Sequence, residues 1–146
     1  METKKEYEKL EQKYGLPKYK YMDDEFEISA IKLPDSGVFI KSILRSIINK
    51  YGLCMNLFDP VVSPQQTMHS MIELNGLTDD DKKEIYMLYK KIGLILHEMY
   101  LSELKDEKSI AEQIKSSIAN WEKLKKEVVK GLEKIKGSWA KEDLEG

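Results

Sequence analysis

The sequence predicts an all-α protein: a single-domain helical bundle of about five helices with a long amphipathic C-terminal member. Three observations predict it. Apolar residues recur at the helical period of about 3.6 residues through most of the chain. Residues that stop and start helices punctuate the intervals between those runs. One segment alone alternates like a strand, and a lone strand has nothing to pair with. At 146 residues and 17.0 kDa the chain fits one domain, 1–146, large enough to bury about 70% of its unfolded surface without staples.

Each element follows from its own residues. Tyr7, Leu10 and Tyr14 make a thin stripe on a first helix near 3–14. It stops at Lys13-Tyr14-Gly15-Leu16, where glycine turns left-handed, the leucine folds back, and Pro17 seals the end. In 17–33, Phe26, Ile28 and Ala30 alternate with polar residues, so this stretch is expected to cross the helices in extended form. Asp35-Ser36 opens a second helix, with Ile40, Ile43, Leu44, Ile47, Ile48 and Tyr51 on one face. Lys50-Tyr51-Gly52-Leu53 repeats the first stop signal, which makes 53–62, broken by Asp59-Pro60, a buried connector. Ser63-Pro64-Gln65-Gln66 reads as a capping box for a short third helix bearing Met68, Met71 and Ile72. Asn75-Gly76-Leu77 closes it with a variant of the same stop.

Thr78, followed by three aspartates beside the positive helix end, opens a fourth helix at 79–104. Ile85, Leu88, Tyr89, Ile92, Ile95, Leu96 and Met99 share one face, while Tyr86, Leu94, Tyr100 and Leu101 fill most of the rest. A helix apolar nearly all round is expected at the centre, covered by others. Asp106 or Ser109 opens the last helix, 107–136, whose stripe runs Ile110, Ile114, Ile118, Trp121, Leu124, Val128, Leu132, Ile135, Trp139. Continued past Gly131 and Gly137, that stripe spans ~45 Å at 1.5 Å per residue, beyond a body with a radius of gyration of ~15 Å. Its end, Leu124, Val128, Leu132, Ile135 and Trp139, is therefore expected to be free for a partner, with 137–146 a disordered tail.

Composition excludes several classes. A net charge of −2 argues against a general nucleic-acid coat. Lone Cys54 rules out an intrachain disulfide and any multi-cysteine zinc site, and its apolar setting makes the thiol inert. No apolar run reaches a membrane span, and Met1–Gly15 lacks a signal peptide's apolar block, so a soluble cytoplasmic protein is expected.

Candidate chemistry is sparse. His69 and Glu73 lie one turn apart on one face, and His97 sits late on the fourth helix. Neither histidine completes a Glu-x-x-His or His-Glu-x-x-His pattern. Both are expected to be packing residues, His97 hydrogen-bonded between helices beside Gly93 and Tyr100. Glu8/Glu11 and Glu103/Asp106 have the spacing that lets two carboxylates share Mg²⁺, as all-helical nucleotide pyrophosphohydrolases do. With 26 acidic residues in the chain, such pairs arise by chance. Lys18-Tyr19-Lys20-Tyr21 interleaves basic and aromatic residues, but Asp23, Asp24, Glu25 and Glu27 follow at once. The lysines of the last helix are broken up by Glu122, Glu127, Glu133 and Glu142. Met55, Met68, Met71, Met87 and Met99 offer either core filling or an adaptable groove for a partner helix.

Arg45 in an isoleucine-rich helix, Leu77-Thr78-Asp79-Asp80-Asp81-Lys82-Lys83 leading into Tyr86–Tyr89, and a tryptophan-bearing helix ending near Trp139 form a recognisable succession. Over residues 26–139 it resembles small all-helical proteins of archaea. The resemblance implies a cytoplasmic helical bundle and no activity, ligand or partner. The expected function is a non-catalytic protein–protein interaction module, an adaptor or accessory subunit without cofactor or metal. It is expected to hold a protein partner or a second copy through the stripe ending at Trp139. Nucleic-acid binding through the lysines of the last helix ranks second, and a Mg²⁺-dependent nucleotide pyrophosphohydrolase third.

Overall fold

The computed structural model describes residues 2–33 and 38–141. Among these residues there are six α-helices and no strand: α1 (Glu2–Tyr14), α2 (Tyr19–Phe26), α3 (Phe39–Val62), α4 (Met68–Asn75), α5 (Asp79–Glu103) and α6 (Glu107–Lys141). A 3-10 turn, Ile28–Ala30, follows α2. No helix is long and apolar enough to cross a membrane among the described residues.

The all-α class is as expected; several boundaries are not. The segment expected to be extended, 17–33, holds α2 and the 3-10 turn. Met22 and Phe26, one turn apart, are both buried, and that single shared face suffices for a short helix. The second Lys-Tyr-Gly-Leu does not stop its helix: α3 runs through Gly52 to Val62, with Pro60 in its last turn. Gly15 turns left-handed at φ 69°, and the amides of Gly15 and Leu16 both donate to the Glu11 carbonyl. Pro17 then blocks continuation. Gly52 has no such proline after it; instead Cys54, Phe58 and Val61 continue a buried helical face. Ser63 does not cap α4, because its amide still donates to the Asp59 carbonyl in the closing turn of α3. Thr67 takes that role, accepting from the Ser70 amide at 3.2 Å. Gly76 closes α4 in the right-handed conformation, φ −88°, not the left-handed one.

Other signals act as written. Thr78 and Asp81 exchange reciprocal hydrogen bonds of 3.1 Å at the start of α5, and Asp106 accepts from the Ser109 amide at 2.9 Å at the start of α6. The opening signal at Asp35-Ser36 lies outside the described residues, as does the tail beyond Lys141; residues 137–141 are helical.

Packing groups the chain into two compact units: Met1–Tyr51 with Ile95–Asn120, and Gly52–Leu94 with Trp121–Gly146. In the first unit Tyr7, Met22, Ile43, Ile47 and Ile114 are fully buried. Polar groups there are closed on one another. Tyr7 donates to the Pro17 carbonyl, Tyr51 to the Ser117 carbonyl at 2.6 Å, and Arg45 meets Glu103 at 2.7 Å. Tyr14 and Lys13 both engage Glu107, whose carboxyl they hold below its ordinary range.

The second unit is built on Phe58, Ile85, Ile92, Trp121 and Leu124, all buried. A Cβ on Gly131 would stand 3.0 Å from the Phe58 ring, so a side chain there would press on the ring. With 35 residues α6 is ~52 Å long at 1.5 Å per residue. Its residues up to Asn120 serve the first core and those from Trp121 the second. The length that suggested a spare end is used by two cores in succession.

Candidate functional site

The five residues expected to be free for a partner are placed otherwise. Leu124, Val128 and Ile135 are buried, each 5% exposed or less, and Leu132 is half-buried. Only Trp139 reaches the surface, at 42% exposure, and it is engaged by this chain. Its Nε1 donates to Glu73 Oε1 at 3.0 Å, and its ring meets His69 edge-on at 5.3 Å. The His69 Nε2 stands 3.3 Å from the same carboxylate oxygen. Glu73 is thus a buried acid whose Oε1 accepts from Trp139 and lies beside His69, while its Oε2 has no hydrogen-bond partner among the described residues. The cluster fastens α4 to the end of α6. Where Gly76 follows α4, a Cβ would collide with Ser138 of α6.

Exposed apolar side chains occur on several elements, Met68 and Met71 of α4 among them, and α5 carries a continuous face of them. Ile85, Leu88 and Ile92 are buried as expected, but Tyr86, Met87 and Leu94 are more than half exposed. The helix expected to be covered all round is covered on one side only. At ~100° per residue, Lys83 and Lys90 fall among these exposed side chains. A second apolar face interleaved with lysines belongs at the surface, because the ammonium groups keep their water while the stems lie on carbon. That interleaving was the available signal. Ser102, a polar residue near the end of the same helix, is buried and donates to the Met99 carbonyl.

Beside this face, α5 and α6 of the second unit enclose a groove of about 440 Å³. Ile85, Leu88 and Gly131 line its depth and Met87 stands at its mouth. Lys83, Glu84 and Lys91 edge it from α5, and Glu127, Lys130 and Lys134 from α6. Lys91 pairs with Glu127 at 3.2 Å. Lys134 lies between Asp81, at 3.0 Å, and Glu84. Its ammonium holds both carboxyls below their ordinary range, and they in turn hold Lys134 protonated to higher pH. Lys83 and Lys130 are exposed, and neither has an ion-pair partner among the described residues.

The groups singled out for chemistry are dispersed. His97 is exposed, edge-on to Tyr100 at 5.6 Å, and not held in a packed interior. Glu103 is taken by Arg45, and Asp106 by Ser109, whose hydrogen bonds keep its carboxyl below the ordinary range. Glu11 pairs with Lys18 at 3.0 Å. Cys54 is buried and in no disulfide. No group of three or more His, Cys, Asp or Glu is positioned to hold a metal ion among the described residues. Comparison with protein-family models, with curated proteins and with solved structures finds no match.

Proposed function

We propose that the protein is a non-catalytic interaction module of the cytoplasm, which docks a protein partner in the α5–α6 groove of the second unit. One observation carries this reading: an open apolar groove with exposed Met87 at its mouth, where a single chain leaves carbon uncovered. Methionine suits the task, since its unbranched thioether adapts to a partner's shape. The catalytic alternatives lack support, because Glu103, Asp106 and Glu11 of the carboxylate pairs they need are engaged by Arg45, Ser109 and Lys18. The test is a photo-crosslinking residue at Met87 in intact cells, with the same residue at exposed Lys123 as control. A discrete protein adduct at Met87 that is absent at Lys123 is the expected result. No adduct at Met87 overturns the reading.

A further inference from the structure

The charges around the groove describe its occupant. Four lysines and two glutamates edge it. Lys91 is answered by Glu127, and Lys134 by Asp81 and Glu84. What remains is positive: Lys83 on one wall and Lys130 on the other are exposed and make no ion pair among the described residues, Lys130 acting on Glu84 only at longer range. A ligand lying between the walls meets a spare ammonium on each side. From Lys83 to Lys91 the α5 wall is ~12 Å long at 1.5 Å per residue, and from Glu127 to Lys134 the α6 wall is ~10 Å. Each is about two helical turns, the reach of apolar anchors at i, i+4 and i+7 on a docked helix.

We infer that the groove accepts an amphipathic helix of a partner protein, with apolar anchors on one face and acidic residues flanking them. This rests on the reading of the groove as a docking surface. Its depth is carbon, from Ile85, Leu88 and Gly131, which rewards side chains and offers nothing to a phosphate backbone. No aromatic residue lines it on which a base would stack. The acidic flanks meet Lys83 and Lys130, giving orientation and a faster encounter at low salt.

The experiment uses the full chain and fluorescence anisotropy. The probe is a synthetic helix of about 15 residues, the length at which isolated helices begin to hold in water, with leucines at i, i+4 and i+7 flanked by glutamates. A lysine-flanked counterpart and a single-stranded oligonucleotide are the comparisons. The glutamate peptide is expected to bind, more weakly as salt rises. The double variant Lys83→Glu/Lys130→Glu is expected to lose about tenfold or more in affinity for it and to gain affinity for the lysine peptide. Both positions are exposed, so circular dichroism of the variant should match the parent. Equal binding of the two peptides, or an affinity unmoved by the double reversal, overturns the inference. Binding of the oligonucleotide in the same groove, lost in the double variant, overturns it in favour of nucleic acid. The crosslink at Met87 separates the two levels: an adduct through a basic or uncharged segment ends this inference alone, whereas no adduct ends the docking reading with it.

Discussion

Two apolar surfaces of the second unit, on α6 and on α5, meet opposite fates. Leu124, Val128 and Ile135 on α6 are 2%, 5% and 5% exposed; Tyr86, Met87 and Leu94 on α5 are 56%, 57% and 63% exposed. Both sets recur at helical spacing. They differ in what lies beside them. On α6 no lysine or glutamate falls among the three on the helix face, so burying them strands no charge. The second α5 face carries Lys83 and Lys90 within it, and covering that face by the chain itself would strand ammonium groups. Apolar content alone does not separate core from exposed surface; the position of the nearest charges does.

The sharpest way to break this comparison is to truncate one residue from each surface. Leu124→Ala should cost about 2–5 kcal/mol in urea unfolding, whereas Leu94→Ala should change stability by about 0.5 kcal/mol or less. Equal losses would show that the α5 face is core. A valine at Gly131 tests the packing beneath the groove. Its Cβ would press on the Phe58 ring, and the expected cost is about 1–3 kcal/mol.

Trp139→Phe tests whether the exposed end of α6 is held or free. Losing the indole donor leaves buried Glu73 short of a partner, for an expected cost of about 1–3 kcal/mol by thermal unfolding. The double variant with Glu73→Leu should recover part of that loss, and an unchanged Tm for Trp139→Phe would return that end to the surface.

The smallest effect concerns pH. Asp81 and Glu84 have carboxyls depressed by Lys134, so the folded state binds fewer protons than the unfolded one as the medium becomes acidic. Their contribution is complete above the unfolded values, roughly pH 4, and is lost as pH falls through the folded ones. Lys134→Met should therefore lower stability slightly above that range at low salt and leave the strongly acid end unchanged, which flattens the acid limb of the profile. An acid limb identical to the parent's would show that the three charges contribute nothing.

Much of the fold was legible because its signals are local. The Thr78–Asp81 exchange and the Asp106 cap each join residues within one turn. The stop at Gly15 is complete within four residues, ending in Pro17. The same Lys-Tyr-Gly-Leu at 50–53 misleads because glycine in a helix costs only about 1 kcal/mol relative to alanine. The burial of Cys54, Phe58 and Val61 outweighs that cost. The groove was illegible for a related reason. Its two walls lie some forty residues apart in sequence, and nothing in either wall announces the other.

Composition and periodicity alone established an all-helical chain, the stripe of α6, and the caps at Gly15 and Thr78, while α6 runs to Lys141, past the expected end at 136. Those features depend on backbone groups and side chains within a turn of one another. Which apolar face is covered, whether Gly52 stops a helix, and where lysines are left without acids were decided only by tertiary packing. Burial and charge pairing are set by neighbours from distant parts of the chain, and periodicity records a side chain's direction without recording what it meets.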